Sequence, residues 1–244
     1  MGSGDAVDAD RSPGPPGWPR KRWSAISARI ERRRAVSDER SPTTPVAPVP
    51  SPERARVLDY LRTRAAALGP SGVRARVRAA AEELEAQLAP LDELAARACP
   101  SGGDWSVAQV VDHLAQTQIR AVDELRHLLA GRRPPPPPVY EGLISGAATW
   151  APWEELVDGL RSANAELDAV LAQAGAASTS TGAVRARTIL VANRQEPDGA
   201  VRPDTFVAEL DWKEYALVQR LHLLDHRNQV RGLRAALAGD VGRP

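Results

Sequence analysis

In the segment LHLLDHRNQ, residues 221–229, His222 and His226 stand four residues apart in a chain that has only four histidines. On a helix this spacing puts both rings on one face, one turn apart, where they can reach a single ion. The H-E-x-x-H zinc motif relies on the same geometry. Here the intervening residues are Leu223, Leu224 and Asp225, so the glutamate base of that motif is absent and a zinc peptidase is disfavoured. Two ligands are also too few, because a catalytic zinc takes three from the protein and keeps one position open. The competing reading is two polar residues that share a helix face. His113 is the candidate third ligand, lying beside an apolar stripe in VAQVVDHL. His127 falls near a helix end, where its interaction with the helix C-terminus accounts for it. Cys99, the single cysteine, is a soft ligand or reactive thiol only as a lesser alternative.

Four long amphipathic helices must position these rings. A leading segment, Arg54–Leu68, is stopped by Gly69-Pro70-Ser71-Gly72. The first long helix then carries Val73, Val77, Ala80, Leu84, Leu88 and Leu91 on one stripe, with Pro90 expected to kink or divide it. The second opens at Ser106, with Gln109 three residues on at the capping-box position and Trp105 and Val110 at the staple positions, and should run to about Gly131. The third starts near Pro152 with the stripe Leu156, Leu160, Ala163, Leu167, Val170 and Leu171. The fourth opens after Asp211, with Glu214 at the box position, and ends near Leu237. Such stripes can be buried only against one another, which predicts an all-α four-helix bundle.

The connections set its order. GRRPPPPPVYEGLISGAAT is too long for a tight turn, and its prolines make a stiff spacer of about 3 Å per residue that can run back along a helix. The second and third helices can then be parallel, giving an up-down-down-up bundle. Between the third and fourth helices, RTILVAN and DTFVAEL flank EPDG, the pattern of a small β-hairpin. In this topology the second and fourth helices are antiparallel, and His113 and His226 differ in depth by about 6 Å at 1.5 Å per residue. A modest stagger of the helix ends would bring them level.

Residues 1–52 are rich in Pro, Ser, Gly and Arg and bury too little to repay ordering, so they read as a disordered tail before a domain spanning 53–238, with 239–244 frayed. The basic piece RKRWSAISARIERRR within the tail reads as a solvated arm in preference to a nucleic-acid anchor. The net charge of +1 gives no global field for nucleic acid or membrane. One cysteine excludes an internal disulfide, and no apolar run reaches the roughly 20 residues needed to span a bilayer. A cytoplasmic location is expected.

WSVAQVVDHLAQ, followed about a hundred residues later by ELDWKEYALVQRLHLLDHRNQV, resembles the DinB-like (damage-inducible, YfiT-related) superfamily over roughly residues 73–238. The resemblance implies an up-down-down-up bundle and a divalent metal, zinc or nickel, on His113, His222 and His226, with Gln229 as the residue that often follows the histidine pair. It also implies a metal-dependent S-transferase or isomerase using a low-molecular-weight thiol such as bacillithiol, mycothiol or glutathione. The partners would be a small electrophile and the thiol, with a possible homodimer. A non-catalytic metal-binding bundle and a metal-dependent hydrolase, with Asp112 or Asp225 as base, are the alternatives.

Overall fold

Prolines decide where the first helices begin and end. The computed structural model describes residues 51–99, 105–135, 143–175, 184–195 and 201–240. Most of the tail 1–52, the centre of the proline spacer, the EPDG turn and the last four residues therefore lie outside the described residues. Helix α1 (Pro52–Ala67) has Pro at its first position and Ser51 as N-cap, its side chain accepting from the Arg54 amide. Pro70 does not only stop α1. It also starts α2 (Pro70–Leu88), three residues before the expected Val73, because a first-turn amide needs no partner and the proline ring presets φ. Pro90 does divide the first long helix, and α3 (Glu93–Arg97) follows with Asp92 as its cap.

Helix α4 (Val107–Leu129) opens on the expected capping box. The Gln109 amide donates to Ser106 Oγ at 3.3 Å, and the Ser106 amide donates to Gln109 Oε1 at 2.8 Å. Replacing Ser106 with Ala should cost about 1 kcal/mol, read as a lower midpoint in urea unfolding. The helix closes at Gly131, whose φ of 68° lets its amide reach Leu128 O and the Arg132 amide reach His127 O, a Schellman ending.

A 3₁₀ turn (Ala147–Thr149) precedes α5 (Trp153–Ala172), whose first residue donates its indole N–H to Leu91 O at 2.9 Å. Strands β1 (Ala186–Gln195) and β2 (Val201–Leu210) pair antiparallel, Ala186 opposite Leu210 and Gln195 opposite Val201. Arg54 grips Asp204 through two guanidinium nitrogens, at 2.7 and 2.5 Å, which fastens β2 to α1. Helix α6 (Trp212–Asp240) begins with a second capping box, in which Asp211 Oδ1 accepts from the amides of Lys213 and Glu214 and the Asp211 amide donates to Glu214 Oε2, each at 2.9 Å.

Side-chain pairs give the helix directions. Arg74 at the start of α2 meets Asp168 near the end of α5, while Glu85 near the end of α2 accepts from Asn164, so these helices are antiparallel. Glu83 and Gln87 of α2 meet Arg227 and Arg234 of α6 in the same order, so those two are parallel. Asp112 accepts from Gly146 just ahead of α5, and Arg126 pairs with Glu166 at the far ends, making α4 and α5 parallel. The order is up-down-down-up, and the long connector serves the parallel pair. Leu84, Leu88, Leu114, Leu125, Leu160, Leu167, Leu217 and Leu223 form its core, each at most 2 % exposed. Among the described residues no helix is long and apolar enough to cross a membrane.

Candidate metal centre

His113 sits six residues inside α4, and His222 and His226 lie one turn apart on α6. Because these helices are antiparallel neighbours, the three rings meet. His113 Nε2 lies 3.1 Å from His222 Nε2, and His226 Nε2 lies 3.0 Å from the same atom. One nitrogen from each ring falls within 4.8 Å of the others, and the cluster contains neither His127 nor Cys99. The depth difference expected from the sequence is absorbed because α6 continues past the start of α4 by about two turns. Ring centroids are 4.5 to 5.1 Å apart, with interplanar angles of 63° to 87°.

The outer nitrogens explain which way the inner ones face. His113 Nδ1 lies 3.0 Å from Leu143 O and donates to it, since a carbonyl can only accept. His226 Nδ1 lies 2.7 Å from Gln229 Oε1 and donates likewise. With their protons on Nδ1, both rings turn an Nε2 lone pair towards His222. The edge of Trp105 packs on His113 at 5.3 Å between centroids and closes its other side.

Burial keeps the rings uncharged. It lowers the His222 pKa well below its ordinary value of 6.5, and nearby His226 and His113 add to the effect. Burial also lowers His113, with His226 contributing and the Leu143 carbonyl and Asp112 opposing. His226 is lowered by burial against the opposing influence of Gln229 and Asp225. The Nε2 lone pairs of His113 and His226 both face His222 Nε2, so a cation among the three nitrogens could be met by one nitrogen from each ring. Tetrahedral ligands at about 2.0–2.1 Å from an ion stand roughly 3.3 Å apart, close to the separations found here. The residues present fit a divalent ion held by histidine nitrogens.

Other expectations from the sequence fall elsewhere. His127 donates from Nδ1 to Asp123 O at 2.9 Å, in the last turns of α4. Cys99 is exposed, its thiol 3.8 Å from Arg97 O. Asp225 is exposed beside His226. Asp112 is 2 % exposed and its oxygens are taken up by Ser145 and Gly146, so it is poorly placed to serve as a hydrolytic base. The Leu143 carbonyl was not legible in advance, because a backbone acceptor in a loop 30 residues away leaves no residue-type signal.

An antiparallel helix pair that brings together His113 of α4 and two histidines of α6, inside an up-down-down-up bundle, defines a class of histidine-lined helical bundle. The chain belongs to the DinB superfamily, whose sequence model matches residues 73–230, more than half its length. No curated protein and no solved structure matches the chain significantly.

Proposed function

We propose that this chain holds one divalent ion, zinc or nickel, on His113, His222 and His226, and works as a thiol-dependent S-transferase or isomerase. The observation that carries the reading is the convergence of three neutral Nε2 atoms from two antiparallel helices. Three protein ligands leave one position of a tetrahedral ion for a reactant, the arrangement of catalytic sites. The ion when bound would lower a thiol's pKa and favour its thiolate near neutral pH. The chain's own contribution is to hold the geometry. Leu143 O and Gln229 Oε1 fix the tautomers of two ligands, an outer-shell role that also raises ligand basicity. Trp105, packed against the His113 ring, supplies apolar surface that limits water beside it. No cysteine of the chain joins the cluster, so the nucleophile would come from a small thiol such as bacillithiol, mycothiol or glutathione. The partners would be that thiol and a small electrophile, in the cytoplasm, with a second copy of the chain completing a homodimer.

A second reading is a non-catalytic bundle in which the ion only ties α4 to α6, and the placement of the ligands on facing helices favours it. Adding each thiol to zinc-loaded protein at neutral pH separates the two. The transferase reading expects release of about one proton per site on thiol binding, followed by thiol-dependent consumption of an aryl halide electrophile. Equal thiol binding by zinc-loaded wild type and by His222→Ala would leave the ion structural and end the transferase reading.

A further inference from the structure

Asp112 is a carboxylate in the middle of a helix, 2 % exposed, and it makes no ion pair with a basic side chain among the bonds described. All its hydrogen-bonding capacity goes to one short loop. Oδ1 accepts from Ser145 Oγ at 2.5 Å and from the Ser145 amide at 3.4 Å, and Oδ2 accepts from the Gly146 amide at 2.9 Å. Ser145 Oγ in turn accepts from the Ala147 amide at 3.1 Å, and Gly146 adopts a φ of 82°, a conformation that favours glycine. The carboxylate thus holds the entry to the 3₁₀ turn in a single arrangement. Two residues before Ser145 is Leu143, whose carbonyl accepts the Nδ1 proton of His113. Two consecutive residues of α4, Asp112 and His113, therefore grip the two ends of the four-residue loop 143–146.

We infer that Asp112 is a positioning residue for the metal centre, acting on His113 through the Leu143 carbonyl. The inference rests on His113 being a ligand, as proposed above. A neutral imidazole carries its proton on either nitrogen, and the other bonds around the ring decide which. With Leu143 O held in place, the proton stays on Nδ1 and the Nε2 lone pair faces His222. If the loop is released, the acceptor moves off and the ring divides between tautomers. The form protonated at Nε2 cannot ligate through that atom. Loss of an outer-shell partner of this kind typically costs about 10–100-fold in metal affinity. A purely structural role, in which Asp112 only caps the 3₁₀ turn, would lower stability and leave the tautomer of His113 unchanged.

The test uses the full chain as wild type, Asp112→Asn and Ser145→Ala. The tautomers of His113 and His226 are read in the metal-free proteins by long-range proton–nitrogen NMR correlation, and zinc affinity is read by chelator competition. In Asp112→Asn the expected result is a mixed tautomer at His113, an unchanged Nδ1–H tautomer at His226, which Gln229 holds independently, and about 10–100-fold weaker zinc binding. Ser145→Ala should move both readouts the same way by less, and it decides the matter if Asp112→Asn does not fold. A folded variant with lowered thermal stability but a wild-type His113 tautomer and wild-type zinc affinity overturns the inference. A shifted tautomer in a protein whose wild type binds no zinc sinks the metal assignment instead and leaves the clamp standing.

Discussion

Zinc should bind His222→Ala more than about 100-fold more weakly than wild type, a larger loss than removal of an outer-shell partner causes. His222 is the centre of the cluster, since its Nε2 lies about 3 Å from each of the other two and no other pair is that close among the hydrogen-bonded contacts. Without it the remaining rings belong to different helices and offer only two nitrogens. His127→Ala serves as the matched control, because that ring is engaged with Asp123 on α4 and should leave the affinity unchanged. Competition against a chromophoric chelator measures both, and far-ultraviolet circular dichroism confirms that each variant is folded. Equal affinity in His222→Ala and wild type would mean that zinc binds elsewhere.

Acid should remove both the metal and part of the metal-free protein's stability, and the sign follows from the histidines. All three folded-state pKa values lie below the ordinary 6.5. The unfolded chain therefore takes up protons first as the pH falls, and unfolding becomes easier. The contribution is intact above about pH 6.5 and is lost progressively below it, down through the folded-state values. Glu124 works the other way. Burial raises its pKa above 4.5, so the folded state takes its proton first and acid favours folding through that group, in a window that opens at lower pH. Between about pH 7.5 and pH 5.5 the histidines should dominate, and the metal-free Tm should fall. Metal amplifies the trend. At a free concentration of 100 Kd an ion stabilises by about 2.7 kcal/mol, which for a domain of this size corresponds to roughly 5–10 °C in Tm. That increment should shrink once the pH falls through the depressed folded-state values of the three histidines, because protons then compete for the ligand nitrogens. Scanning calorimetry with and without zinc across this range and below it checks both trends. A metal increment that persists after all three histidines have taken up protons would show that histidines are not the ligands.

The parts that were legible in the sequence are those with a local signature. Ser106 with Gln109, and Asp211 with Glu214, announce helix starts because the bonds they make span three residues. His222 and His226 announce a shared face by their spacing, and Gln229 is one further turn along on the same helix, where it bonds to His226. The length of the connector allowed α4 and α5 to run parallel, which in turn made α4 and α6 antiparallel and let His113 reach the pair. Pro70 was misread as punctuation because proline marks both a stop and a first helical turn, and only the flanking packing decides between them. Asp112 was read from the sequence as a candidate base beside a histidine, not as the anchor of a loop. Its partners, Ser145 and Gly146, are more than 30 residues away in an irregular loop, where no periodicity places them. The need for a stagger of α6 past α4 was readable but its extent was not, since that depends on how long the last helix continues beyond the core.

The central claim is that one divalent ion sits among His113, His222 and His226. Its most direct test is the metal content of the untagged full-length protein, by mass spectrometry, as purified and after reconstitution with zinc or nickel, beside His222→Ala prepared in the same way. About one equivalent in the wild type and almost none in the variant is the expected result, in keeping with three nitrogen ligands on one ion. A wild type that carries no metal and takes none up, or a variant that holds as much as the wild type, would contradict it.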